Sequence, residues 1–197
     1  MRLVYPIKVP SNLRAAQAIT PAGKACKPAG PPWRPRIWDS FLARRGSFYH
    51  HAIDIVAAEG TPVVAAASGR VLMKWRDRPG AGHSEKGGWY VWFKDDNGYT
   101  HYYSHLLRKP LVGPGDRIEA GQLIGYVGRT GNAKTTCPHL HYSIGNRYRK
   151  KINPYPLLKP LHDAGGWMGE VSTGTSGKVA LTLVAAGAAL WWLLRRH

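Results

Sequence analysis

The sequence predicts an all-β, antiparallel domain with a cleft, followed by a C-terminal hydrophobic helix. Three observations carry that fold class. Short β-branched and aromatic runs fill the middle of the chain with no sustained helical period. Two of them, Trp89–Phe93 and Tyr99–Tyr103, flank Asp95-Asp96-Asn97-Gly98, and Asn-Gly between aromatic runs is a strong hairpin signal. Gly (23) and Pro (15) are abundant, which favours turn-rich architecture over a helical bundle.

The 197 residues suit one domain with tails. Residues 1–32 are expected to form an irregular arm, because Pro6, Pro10, Pro21 and Pro28 interrupt any regular pattern, although Leu13–Ile19 could make a short helix. Pro6 and Lys8 also end the apolar run Leu3-Val4-Tyr5, so no secretory signal is expected there. Residues 33–160 hold the strands. They are read at Ala52–Val56, Thr61–Val64, Gly69–Met73, the two arms of the hairpin, Leu123–Val127 and Leu140–Ile144. Residues 161–178 are rich in Gly, Ser and Thr and read as a flexible linker. Residues 179–194 carry no charge and end at Arg195-Arg196. As a helix they would be about 24 Å long, apolar on every face, with Trp191 and Trp192 placed as interfacial anchors, so a membrane is the expected partner.

Lys and Arg number 28 against 11 Asp and Glu, a formal charge of +17. Such a chain attracts polyanions: nucleic acid, anionic lipid or an anionic wall polymer. Nothing in it matches a helix-turn-helix, a zinc finger or an RNA-binding sheet motif, so no specific nucleic-acid partner is expected. Two Cys, Cys26 and Cys137, cannot make a disulfide framework or a Cys-rich zinc ribbon, and free thiols are the expectation.

The histidines carry the chemistry. Six of the nine fall in three patches: His50-His51-Ala52-Ile53-Asp54, His101-Tyr102-Tyr103-Ser104-His105 and His139-Leu140-His141. A strand alternates its faces, so His139 and His141 point the same way and can converge on one site. His50 and Asp54 would lie about 13 Å apart on a straight strand, too far to share a metal. Ile53, Ile55 and Val56 argue against a helix, so both can be ligands only if the chain bends near Ala52. Two imidazoles, a carboxylate and a water make a reasonable catalytic zinc set. A Cys137 thiolate is a conceivable alternative ligand, against which Pro138 argues. His51 is read as a bystander. His101, four residues before His105, is expected on the same strand face, at the surface or behind the ligands.

These residues resemble the lysostaphin-type (LytM-like) zinc endopeptidases. The likeness rests on His50-x-x-x-Asp54, His105-Leu106 and His139-Leu140-His141. It extends to Asp54–Ala66, Ser68–Val71, Val112–Ile118, Ala120–Gly125 and Thr130-Gly131-Asn132, and spans about Ser47 to Ile144. The family usually has Gly where this chain has Ala52. The resemblance implies that His50, Asp54 and His141 bind Zn2+. It implies that His105 and His139 flank the attacking water and the scissile carbonyl, one serving the water and the other the oxyanion or leaving amine. The implied reaction is hydrolysis of a peptide bond in peptidoglycan stems or cross-links. The rival is a membrane-anchored wall-binding, activating or structural protein without catalysis; such relatives typically lack ligands, and this chain keeps all five positions. The expected location is a membrane, with the peptidase domain facing the wall in a periplasm or on a virion membrane. A tail anchor without a secretory signal would suit a phage- or virion-associated lytic enzyme or a tail-anchored bacterial protein.

Overall fold

The computed structural model describes residues 3–9, 26 and 34–166. In chain order the elements are β1 (Arg44–Arg45), β2 (Phe48–Tyr49), β3 (Ile53–Val56), β4 (Pro62–Val64), β5 (Gly69–Val71), β6 (Lys74–Trp75) and β7 (Arg78–Pro79). Then come β8 (Ala81–Ser84), β9 (Gly88–Asp95), β10 (Thr100–Leu106), β11 (Arg117–Ile118), β12 (Leu123–Tyr126), β13 (His139–Gly145), β14 (Lys151–Ile152) and α1 (Tyr155–Asp163). Every pairing between them is antiparallel.

One eight-stranded sheet dominates, ordered β11-β5-β9-β10-β13-β14, with β8 also on β9 and β3 also on β13. The hairpin read at Asn97-Gly98 is its centre: β9 and β10 pair from Lys94↔Thr100 onward, and Gly98 takes a φ of +86° that an L side chain would resist. Because β3 pairs with the first half of β13, Asp54 lies directly across from His141. That register puts the carboxylate and the imidazole on one face as non-local neighbours.

One sheet face meets β4 and β12 to enclose the core of Ile53, Ile55, Val63, Phe93, Tyr103, Ile124, Leu140 and Tyr142. Residues 3–9, inside the expected irregular arm, add an extended rung to β4. Val4 N–H donates to Ala66 O, Lys8 N–H to Pro62 O, and Tyr5, Ile7 and Val9 are buried in the same core. The expected linker from residue 161 begins inside α1, whose Leu158 packs into the core. This helix was not legible, because Pro156 and Pro160 break the pattern a helix normally shows. Leu13–Ile19 and the hydrophobic run 179–194 lie outside the described residues. Among the described residues no helix is long and apolar enough to cross a membrane.

The two cysteines correct an expectation. Cys26 and Cys137 form a disulfide across 111 residues, so they are not free thiols and Cys137 offers no thiolate to a metal. Cys26 is buried against Val56, which brings its sulfur to the loop before β13.

Candidate metal centre and active site

The outer face of the sheet carries the site. The hairpin β1–β2 leads into His50, the chain bends at Ala52, and β3 begins at Ile53. The bend lets His50 Nε2 reach within 3.2 Å of Asp54 Oδ1. Ala52 is fully buried and its φ is not among the positive ones, so a methyl fits where the resembling family has Gly. Ser40 braces both residues: its carbonyl accepts from His50 Nδ1 at 3.0 Å, and its hydroxyl accepts the Asp54 N–H at 3.3 Å.

His50 Nε2, Asp54 Oδ1 and His141 Nδ1 form a tight triangle. The sides are 3.0 Å between the two nitrogens, 3.2 Å from His50 to Asp54 and 3.2 Å from His141 to Asp54. A tetrahedral ion with ligand bonds of about 2.0 Å has edges of about 3.3 Å between its donors. The triangle is therefore the size of one face of a zinc tetrahedron, and the donor set, two imidazoles and a carboxylate, is zinc chemistry. The second Asp54 oxygen accepts from Arg45 Nη2, leaving Oδ1 to the triangle. Burial would raise the Asp54 pKa, but the adjacent His141 and His50 rings outweigh it and hold the carboxyl far below its ordinary range. Burial lowers the His141 pKa against the opposing pull of Asp54, which keeps a lone pair free for a metal.

His105 and His139 stand beside the triangle. Their rings lie 4.9 Å apart, and His105 is 5.7 Å from the His141 ring. His139 Nε2 is 3.9 Å from Asp54 Oδ1. His105 reaches this face through an irregularity: the β9–β10 register shifts between Tyr103 and Leu106, and His105 itself takes a φ of +61°. Simple alternation would have put it with His101 and Tyr103 in the core. The expectation for His101 is therefore corrected. It is fully buried on the opposite face, stacked on Phe93 and bonded to Tyr142 Oη and Asp95 Oδ2.

Three histidines share one arrangement. His50, His105 and His139 each place Nδ1 on a backbone carbonyl, of Ser40, Thr130 and Cys137 respectively. A carbonyl only accepts, so Nδ1 carries a proton, and in the neutral ring Nε2 is the nitrogen with the lone pair. Burial, reinforced by its neighbours His139 and His141, pushes the His105 pKa down to about 4, so it is neutral at neutral pH. The Thr130 carbonyl is set by a close backbone approach: a Cβ on Gly131 would lie 2.3 Å from Gly88 N, and both glycines have positive φ. His51 is exposed against Phe41 but lines a cavity next to His141. Sequence reasoning missed Ser40 and Arg45, which bond to His50 and Asp54 from a loop and a two-residue strand that carry no periodic signal.

Comparison with known proteins follows the same residues. The family described as Peptidase family M23 matches residues 48–154, more than half of the chain. The peptidoglycan DD-endopeptidase ShyC of Vibrio cholerae is 40% identical over 95 residues, covering 48% of this chain and 20% of that protein. The L-Ala--D-Glu endopeptidase of Bacillus subtilis is 33% identical over 132 residues, covering 62% of this chain and 38% of that protein. The chain thus spans well under half the length of these curated relatives. Among solved structures, the catalytic domain of lysostaphin from Staphylococcus simulans superposes with a TM-score of 0.51 at 29% identity, covering 64% of this chain and 92% of that one.

Proposed function

The chain belongs to peptidase family M23, and on that premise we propose that it is a zinc-dependent endopeptidase that hydrolyses peptide bonds in peptidoglycan stems or cross-links. The observation that carries the reading is the donor triangle of His50, Asp54 and His141 beside two further imidazoles with free Nε2 lone pairs. The names of the similar proteins support the substrate class, since they include peptidoglycan DD-endopeptidase and L-Ala--D-Glu endopeptidase.

His50 Nε2, Asp54 Oδ1 and His141 Nδ1 would hold Zn2+, which supplies Lewis acidity and brings the pKa of a coordinated water to near neutral. The remaining work belongs to the side chains. His105 Nε2 and His139 Nε2, the ring nitrogens turned away from the main-chain carbonyls, would take the proton of the attacking water and pass it to the leaving amine. The imidazolium formed would donate a hydrogen bond to the oxygen that gains negative charge. Ser40, Thr130 and Cys137 carbonyls fix the rings so that these lone pairs need no reorientation.

The reading extends to placement. The disulfide fits an oxidising, extracytoplasmic compartment. A charge of +17 suits an anionic wall and lipid headgroups, and the run 179–194 is proposed as the membrane anchor on its composition. The test is metal content and amine release together. The purified chain should hold one zinc and liberate free amines from peptidoglycan. A chelator should abolish release, and added zinc should restore it. Amine release that persists in metal-stripped protein would refute the mechanism.

A further inference from the structure

A cavity of about 560 Å³ opens beside His141 and Tyr102, so it is continuous with the metal centre. One wall is a stack of rings. Tyr102 lies on Trp92 at 4.1 Å, and Trp92 on Trp75 at 4.6 Å. The charges around it are all of one sign. Lys74, Arg76, Arg149 and Lys151 line it, and no carboxylate does. Among the described residues, none of these four has an ion-pair partner.

Lys151 is among the lining residues. It is half-buried, donates to Ser143 Oγ at 2.7 Å and sits 4.6 Å from the Trp92 ring centre. A hydroxyl and a ring face hold the amine without neutralising it. Arg149 covers Trp75 at 5.5 Å. Arg149 and Arg76 both occupy the left-handed backbone region, with φ of +64° and +54°.

We propose that this cavity is the subsite for a substrate carboxylate close to the scissile bond, so that the enzyme prefers stem peptides bearing a free carboxylate over the amidated form. The inference rests on the endopeptidase reading above. A single half-buried amine flanked by guanidinium groups is a receptor for one planar anion, and the shared wall at Tyr102 and His141 ties that anion to the peptide being cut. Burial brings the Lys151 pKa down to about 8, and a bound carboxylate would restore its charge.

The experiment compares two synthetic cross-linked stem peptides that differ only in whether the stem carboxylates are free or amidated, using the zinc-loaded full chain. The free acid should show a kcat/KM at least tenfold higher, carried mainly by KM. Lys151→Met should bring the ratio between the two substrates toward one, while Lys151→Arg should keep most of it. Equal kcat/KM for acid and amide in the unaltered chain would overturn the subsite. If neither peptide is cut, the endopeptidase reading fails, and tryptophan fluorescence still decides the subsite. Titration with the free stem tetrapeptide should then show tighter binding than with its amide, and equal affinities would overturn it. Tighter binding of polyglycerol phosphate than of the tetrapeptide acid would also overturn it.

Discussion

At the scale of single residues, the site is built by fixing protons. His50, His105 and His139 each give Nδ1–H to a main-chain carbonyl, which fixes Nε2 as the nitrogen that can present a lone pair. His50 points its lone pair into the Asp54–His141 triangle, while His105 and His139 remain beside it. The variants should therefore separate into two classes. His141→Ala and Asp54→Asn should lose both bound zinc and hydrolysis. His105→Gln and His139→Gln should keep one zinc per chain, measured by atomic emission, and lose hydrolysis by about 10²–10⁴-fold. Arg45 acts through Asp54, whose second oxygen it engages. Arg45→Met should weaken zinc affinity by about 10–100-fold in chelator competition, and unchanged affinity would remove Arg45 from the site.

At the scale of elements, two irregularities do what strand alternation cannot. The bend at Ala52 brings His50 back to Asp54, and the shift before Leu106 turns His105 to the outer face. Opposite His105, Gly131 and Gly88 approach so closely that a methyl on either would meet backbone. Gly131→Ala should lower Tm by several degrees, since Ala at positive φ costs more than about 1 kcal/mol before the clash is counted. It should also reduce turnover, because the displaced Thr130 carbonyl orients His105. These elements show what could be read from the sequence. The strands at Ile53–Val56, Trp89–Phe93 and Leu140–Ile144 and the Asn97-Gly98 turn were legible, because alternation and turn chemistry are local. The side-by-side placement of His139 and His141 followed from the same rule. The facing of His105 away from His101 did not, since a register shift is set by the partner strand. The helix at Tyr155–Asp163 was hidden by its prolines. The Cys26–Cys137 bond joins positions 111 residues apart, a proximity that no local pattern encodes.

At the scale of the whole molecule, both ends of the described chain close over one core. Tyr5 from the N-terminal rung and His162 from α1 meet there, with His162 Nδ1 3.0 Å from Tyr5 Oη. Burial, with Arg34 adding repulsion, lowers the His162 pKa from 6.5 to about 4. The unfolded chain then binds the proton that the folded chain refuses between those values, so stability falls as pH drops from about 6.5 to about 4 and is unaffected above that window. His162→Gln should flatten that part of the stability profile in urea melts relative to the unaltered chain, and parallel profiles would show that His162 does not contribute. The net charge of +17 acts over longer range, and sedimentation with purified walls should weaken as salt rises. The central claim is that the triangle of His50, Asp54 and His141, with His105 and His139, hydrolyses wall peptides. Mass spectrometry of purified peptidoglycan digested by the zinc-loaded chain tests it most directly. The account predicts new paired amino and carboxyl ends at one peptide bond, absent with chelator and with His141→Ala. An unchanged muropeptide profile from walls of several chemotypes, with zinc bound at the site, would contradict it.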